Sequence, residues 1–356
     1  MNDVPDTSAT MKFGVGQPIR RLEDVRLLTG KGRYQDDQTL HRQTWCVFVR
    51  SPHAHARIRS VDTAAASCAP GVVAVFTGTD YTNDGIAMPK ATMPRKKRDG
   101  SPMFAPQRPA LVVDRARYVG DPVVMVIAET LAQAKDAAER VVVDYEPLPS
   151  VTSVAEAAEP DAPLVWDENA DNISHTTERG NREATEAAFA QAAHIVKRRY
   201  VITRVHAQYM EPRGAIGTYD PAEDRYTLYA DVNYPHRVRN MLANMVFKVP
   251  ESKVRVVCHD VGGGFGAKGW QYVEHRLTLW AARKVERPVK WRCERSEVLL
   301  ADEHGRDNIG TIELAFDANA KIIGLRLHML ASIGAYIASS TGRGPRPTPW
   351  GSARST

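Results

Sequence analysis

The sequence predicts an α+β chain folded as two domains in series, on three observations. Its 356 residues exceed the roughly 100–200 of a single ordinary domain. Short β-branched runs alternate with amphipathic helical segments, so neither period dominates. A Pro-, Ala- and acid-rich stretch, 149–178, interrupts the pattern and reads as a connector. With 43% apolar and 25% charged residues the composition is that of a globular protein. A collagen, a coiled coil or a wholly disordered chain is excluded.

The elements follow in order. Residues 1–24 are polar and Pro/Gly-punctuated, an N-terminal arm. The first domain, 25–148, holds strands at 45–50 (WCVFVR) and 72–76 (VVAVF), then a long loop at 83–109. After that loop comes a strand–helix–strand unit: 123–128 (VVMVIA), 130–140 (TLAQAKDAAER) and 141–145 (VVVDY). The second domain, 179–340, opens with an Ala-rich helix at 182–193. Strands are expected at 195–203, 215–219, 226–230 and 254–259, with a helix at 235–247 before the last of these. Beyond a glycine turn lie a helix at about 272–284, a strand at 289–293 and a hairpin, 310–316 with 322–331, around Asp317-Ala318-Asn319. Residues 341–356 are Ser, Gly, Pro and Arg without periodicity, compositionally a disordered tail.

Charge and targeting signals narrow the function. The balance of 47 basic against 42 acidic residues leaves too small an excess to argue for nucleic acid. The run Arg95-Lys96-Lys97-Arg98, without aromatic neighbours, reads as a solvated loop. No apolar stretch approaches the roughly 18 residues of a membrane span, and the N-terminus lacks a basic-then-apolar secretory signal. A cytoplasmic protein is expected. Cys46, Cys68, Cys258 and Cys293 are too dispersed for zinc or iron–sulfur spacing.

The strongest chemical signal is Gly262-Gly263-Gly264-Phe265-Gly266-Ala267-Lys268, between a strand and an expected helix. Glycines at this density let backbone amides approach a ligand, and a following helix would turn free N–H groups toward an anion. A phosphate- or pyrophosphate-bearing cofactor is the natural guest; a plain strand-to-helix turn is the alternative. The P-loop pattern fails, because Ala267 splits Gly-Lys and Gly269 follows Lys268. The dinucleotide fingerprint G-x-G-x-x-A is met by Gly262, Gly264 and Ala267, with Glu286 about 20 residues on. An NAD(P)-dependent dehydrogenase is therefore the second reading. His53 and His55, two apart on a strand, would share a face and could chelate a metal, though structural imidazoles are the commoner outcome. Glu211, in Met210-Glu211-Pro212-Arg213, could be an acid or base, but an ion pair with Arg213 is expected. No G-x-S-x-G or other nucleophile motif is present.

These segments, in order, resemble a known family. GVGQPIRRLEDVRLLTGKGRYQDD, RSPHAHARI, YVGDPVVMVIAET, VDYEPLPSV, MEPRGAI, the run from Asn233 to Lys268 and IGAYI are similar to the large, molybdopterin-binding subunit of the xanthine dehydrogenase, aldehyde oxidase and carbon monoxide dehydrogenase family. The resemblance implies an α/β hammerhead domain followed by an incomplete α/β molybdenum-cofactor-binding domain. It implies hydroxylation of an aldehyde, an N-heterocycle or CO with oxygen from water, at a Mo-molybdopterin in its cytosine dinucleotide form. The cofactor-binding residues it marks are Gly262, Gly263, Gly264, Phe265, Gly266 and Asn233. Where the family carries Gln in Q-x-P-H, this chain has Asn233-Tyr234-Pro235-His236, one methylene shorter. Gly269 stands where purine-hydroxylating members carry Glu, which argues against xanthine.

The family subunit is about twice as long, and the resemblance places its active-site loop and catalytic glutamate beyond this chain, so no catalytic residue is named. A truncated, catalytically incomplete form is expected, or a non-catalytic remnant serving assembly. Without a cluster of iron–sulfur cysteines or a flavin site here, reducing equivalents must leave through other chains. The resemblance implies an iron–sulfur small subunit and an FAD-binding medium subunit, in a dimer of heterotrimers when complete.

Overall fold

The computed structural model describes residues 20–89 and 95–337 and the backbone of 353–355. The first stretch contributes α1 (Asp24–Leu28), β1 (Thr44–Arg50), β2 (Ala56–Asp62), α2 (Ala64–Ser67), β3 (Val72–Thr77) and α3 (Gly78–Asn83). Next come β4 (Arg115–Ala116), β5 (Pro122–Ala128), α4 (Leu131–Ala138) and β6 (Val142–Pro147). After α5 (Val154–Ala157) the chain forms α6 (Arg182–Ala190), β7 (His194–Val205), β8 (Gly214–Asp220), β9 (Arg225–Ala230) and α7 (Pro235–Met241). It closes with β10 (Val254–Val257), α8 (Val273–Val285), β11 (Val289–Arg292), α9 (Arg295–Ala301), β12 (Gly305–Phe316), β13 (Ile322–Ala331) and β14 (Ala353–Ser355). Within the expected tail, only 353–355 is described, paired in parallel with β13. Most of the N-terminal arm and the remainder of the tail lie outside the described residues.

The sequence expectations for strands hold to within a few residues, and the reasons are local. β5 is buried along its whole length because it lies between β1 and β3 with side chains packed on both faces. Met125 and Ile127 enter the larger core, Val124 and Val126 the smaller one. That is why it reads as a continuous apolar run rather than an alternation. α4 starts at a capping box: the Thr130 hydroxyl accepts from the Gln133 N–H (3.2 Å), and the Gln133 side chain accepts from the Thr130 N–H (3.1 Å). β2, unmarked in the sequence, carries exposed Arg57 and Arg59 between buried Ala56 and Ile58.

The principal sheet joins what the sequence separates. Its seven strands run β10-β9-β8-β11-β1-β5-β3. β11, from the second half of the chain, pairs in parallel with β1 from the first, Thr44 opposite Val289 and Cys46 opposite Trp291. One core therefore contains Met125 and Ile127 together with Leu228, Leu277, Trp280 and Trp291. The connector takes part as well: Trp166 lies edge-on to Phe104 and Tyr336 and donates to the Ala335 carbonyl at 2.8 Å. α8 lies against β8 so closely that a Cβ on Gly217 would meet the Thr278 carbonyl carbon and oxygen at 2.4 Å.

Buried charge locks the junction. Glu274, on α8, accepts from Arg50 of β1 (2.8 Å) and from Arg213 just before β8 (3.1 Å). Arg50 also pairs with Glu297, and Arg213 with Asp302 at 2.6 Å. Burial works against the Glu274 charge, but the Arg213 and Arg50 guanidiniums outweigh it and hold the carboxyl well below the usual carboxylate range. Asp121 is the opposite case. Burial pushes it up to about 6, although it accepts from the Arg117 N–H and faces the Arg108 charge.

Two outcomes follow. Gly217→Ala forces α8 off β8 and is expected to destabilise the chain by about 3 kcal/mol, on the scale of core overpacking, measured by urea denaturation. For Asp121, a folded-state value above the unfolded one means stability present at low pH and lost as pH rises through about 6. Asp121→Asn should therefore gain on the wild type by up to about 3 kcal/mol between pH 4 and pH 7. Buried His275, pushed down to about 3, has the opposite pH dependence and cancels in that difference. An unchanged difference at the two pH values would show that Asp121 stays ionised.

Candidate functional site

The glycine loop leaves the end of β10 and is anchored before it turns. Asp260 takes a two-pronged hydrogen bond from the Arg26 guanidinium, one arm at 2.7 Å, and accepts the Arg33 N–H at 2.7 Å. Within the loop three residues take positive φ, Gly263 at +93°, Phe265 at +46° and Gly266 at +99°. Glycine tolerates such values; Phe265 holds its own under strain. The loop closes on itself through Ala267 N–H to the Gly264 carbonyl (2.8 Å).

The consequence is a run of unused donors. Among the described residues, the N–H groups of Gly263, Gly264, Phe265 and Gly266 donate to no protein acceptor. Successive unpaired N–H groups in a turn make a concavity suited to an anion. Phe265 is 79% exposed, and Asn233, Tyr234 and Gly266 beside it are exposed as well. Asn233 belongs to the same site: its N–H donates to the Lys268 carbonyl at 2.9 Å. Its amide lies directly over Gly264, where a Cβ would come within 2.6 Å of Oδ1. All six residues marked as cofactor-binding therefore come together.

Other expectations are corrected. No helix opens at the loop: α8 begins at Val273, six residues after Ala267, and its residues from Val273 to Ala282 are buried. Its first turn is thus enclosed by protein and cannot face a pyrophosphate. Glu286 lies in a turn as the sequence indicates, capping the far end of that helix at φ +53°. The nicotinamide-dinucleotide reading loses both its helix and its acidic residue. Lys268 is fully buried, paired with Glu211 (3.0 Å) and Asp231, so it offers no charge to a phosphate.

Glu211 and Arg213 do not pair with each other. Glu211 turns to Lys268 and to the Gly262 N–H, while Arg213 turns to Glu274 and Asp302. His53 and His55 lie in the link between β1 and β2, not on a strand. The His55 ring meets the Pro149 carbonyl at 2.9 Å, and His53 packs edge-on to Tyr145. Lys97 of the basic run is spent on Asn169 and Asp171.

Asp231 is the site residue sequence reasoning missed. It accepts from the Gly214 N–H at 3.0 Å, and burial pushes it up to about 7 against the pull of Lys268. An acid closing the apolar strand RYTLYA was the available signal.

Comparison with known proteins identifies the two regions of the chain. Residues 165–346 match the family model of the molybdopterin cofactor-binding domain. Residues 29–149 match that of the aldehyde oxidase and xanthine dehydrogenase a/b hammerhead domain. The nicotine 6-hydroxylase large subunit of Paenarthrobacter nicotinovorans is 37% identical over 333 residues, covering 90% of this chain and 38% of that one. The carbon monoxide dehydrogenase large chain of Afipia carboxidovorans is 35% identical over 338 residues, covering 91% and 40%. The crystal structure of quinoline 2-oxidoreductase from Pseudomonas putida 86 superposes with a TM-score of 0.83 at 35% identity, over 92% of this chain and 40% of that chain. The chain thus spans about 40% of the length of the relatives it matches. With an anion-suited glycine loop in the second region and a sheet shared with the first, the chain belongs to the xanthine dehydrogenase, aldehyde oxidase and carbon monoxide dehydrogenase family of molybdopterin-dependent oxidoreductases, as the hammerhead and a molybdopterin cofactor-binding domain of its large subunit.

Proposed function

We propose that this chain contributes the glycine-loop face of a molybdenum hydroxylase site that oxidises an aldehyde, an N-heterocycle or CO. The observation that carries the reading is the run of unpaired N–H groups from Gly263 to Gly266, which runs from half-buried Gly263 and buried Gly264 to exposed Phe265 and Gly266 beside the Asn233 amide. Such donors fit an oxygen-rich anionic group, and a molybdopterin in its cytosine dinucleotide form is the guest we assign. When bound, that group supplies a two-electron oxidation in which oxygen from water enters the substrate. This chain's own part is to hold and orient it. The four N–H groups accept no proton and cost no reorganisation, so they stabilise negative charge from fixed positions. Asn233 adds a side-chain amide that can donate where the backbone does not reach.

Partners follow from electron bookkeeping. Cys46, Cys68, Cys258 and Cys293 give no cluster motif, and family membership assigns the outgoing electrons to an iron–sulfur small subunit and an FAD-binding medium subunit, assembled as a dimer of heterotrimers in the cytoplasm. No helix among the described residues is long and apolar enough to cross a membrane. Two of the matched relatives act by name on N-heterocycles, which makes that class the first to screen.

The test is molybdenum content. The chain, co-expressed with those two partner chains and purified as a complex, is expected to carry about one molybdenum per copy by elemental analysis. Gly266→Val puts a β-branched side chain at φ +99°, a cost of roughly 1–2 kcal/mol. It should lower that content at least tenfold while the melting temperature falls by only about 2–8 °C. A stable complex that contains no molybdenum would leave the chain an assembly surface only.

A further inference from the structure

We infer that Glu211 is the positioning residue of the glycine loop, the carboxylate that holds its four N–H groups in register for an anionic ligand. The inference rests on the molybdopterin reading above for the ligand, and on geometry of its own for the role.

A single carboxylate grips both ends of the loop. Glu211 Oε2 accepts from the Gly262 N–H at 2.6 Å and from the Lys268 ammonium at 3.0 Å, the first and last residues of the turn. The Glu211 N–H returns a bond to the Gly262 carbonyl at 3.2 Å, so residues 211 and 262 are tied twice. The other oxygen, Oε1, accepts from the Gln35 N–H at 3.0 Å, fastening the loop base to the segment ahead of β1. The side chain is only 13% exposed. Charge-assisted hydrogen bonds of this kind are roughly twice as strong as neutral ones.

The same contacts decide what the loop can offer. Because Glu211 and Asp231 hold the Lys268 ammonium, the only cation in the turn faces inward. The outward face is left with backbone N–H groups alone, whose direction depends on where Gly262 and Lys268 sit. Both Glu211 oxygens already face protein donors. The carboxylate is thus engaged on both sides, and positioning, rather than the acid–base alternative, is the role the geometry supports.

The experiment uses the full chain, first without cofactor. Amide hydrogen exchange is followed at Ala267 and Gly269, which bond within the loop, and at Val124 to Ile127 in β5 as the reference. Glu211→Ala should raise exchange at the loop amides at least tenfold with β5 unchanged. Glu211→Gln keeps an acceptor for Gly262 and loses the charge facing Lys268, so a rise of two- to fivefold is expected; it decides the matter if Glu211→Ala fails to fold. In the complex with the partner chains, Glu211→Ala or Glu211→Gln should lower the melting temperature, because buried Lys268 loses a partner, yet lose molybdenum at temperatures where the complex stays fully folded, which a merely structural role would not produce. Loop exchange equal to wild type in the variants, a rise of the same size in β5, or molybdenum retained in full would each overturn the inference. A wild-type complex lacking molybdenum would defeat the cofactor reading instead, and the exchange result would still decide whether Glu211 holds the loop.

Discussion

The fold depends on one buried carboxylate shared between two guanidiniums. Glu274 lies at the start of α8 with its charge fully enclosed, and it is tolerable there only because Arg50 and Arg213 both reach it. Arg213 is further sandwiched against the Tyr272 ring at 3.6 Å and completes its pairing with Asp302. Three elements that share no local sequence logic, namely β1, the entry to β8 and the turn after α9, are thereby fixed against one helix. Buried ion pairs are weak evidence for net stability, since desolvation offsets most of their attraction. Their effect here is directional: any arrangement other than this one leaves a charge buried without a partner.

That network also gives the candidate site a rigid back wall. Arg213 follows Glu211 by two residues, and Tyr209 donates its hydroxyl to Asp302. The stretch from Tyr209 to Arg213 is therefore held from behind by the Asp302–Arg213–Glu274 chain, and in front it holds the loop through Glu211. The Lys268 ammonium lies 4.6 Å from the centre of the Tyr209 ring, linking the two sets of contacts. The electrostatics of the turn are settled internally, which leaves the backbone dipoles as its outward chemistry.

Local patterns in the sequence carried the strands and the loop, because burial imposes them residue by residue. β5 had to be apolar on both faces, and the turn at 262–266 had to be glycine-rich because φ is positive at Gly263 and Gly266 and a Cβ on Gly262 or Gly264 would collide with Glu211 or Asn233. What could not be read was partner choice at long range. Nothing near Glu211 indicates that its cation is Lys268 rather than Arg213, and nothing in 289–292 indicates that this strand lies beside β1. The helix after the loop starts where the sequence places it, but its first turn is enclosed by protein rather than open to the loop, for a similar reason. Residues 268–272 are taken up by a buried lysine and by the Tyr272 ring and hydroxyl, the latter donating to the Ala267 carbonyl, so the helix starts only once those contacts are made. β2 escaped because its outward arginines, Arg57 and Arg59, mask the alternation on its buried side.

The parallel pairing of β1 with β11 has a consequence for how the chain is made. Contacts between residues 44–46 and 289–291 cannot form until the later strand has left the ribosome. At the usual ~5–20 residues per second of synthesis, the edge of β1 stands unpaired for roughly ten to fifty seconds. During that interval the first region has a sheet with one open side and a core lacking Trp291 and Leu277, which arrive with the second. The nascent chain therefore passes through a stage with an apolar edge strand on display, the condition that invites strand-to-strand capture by neighbouring chains.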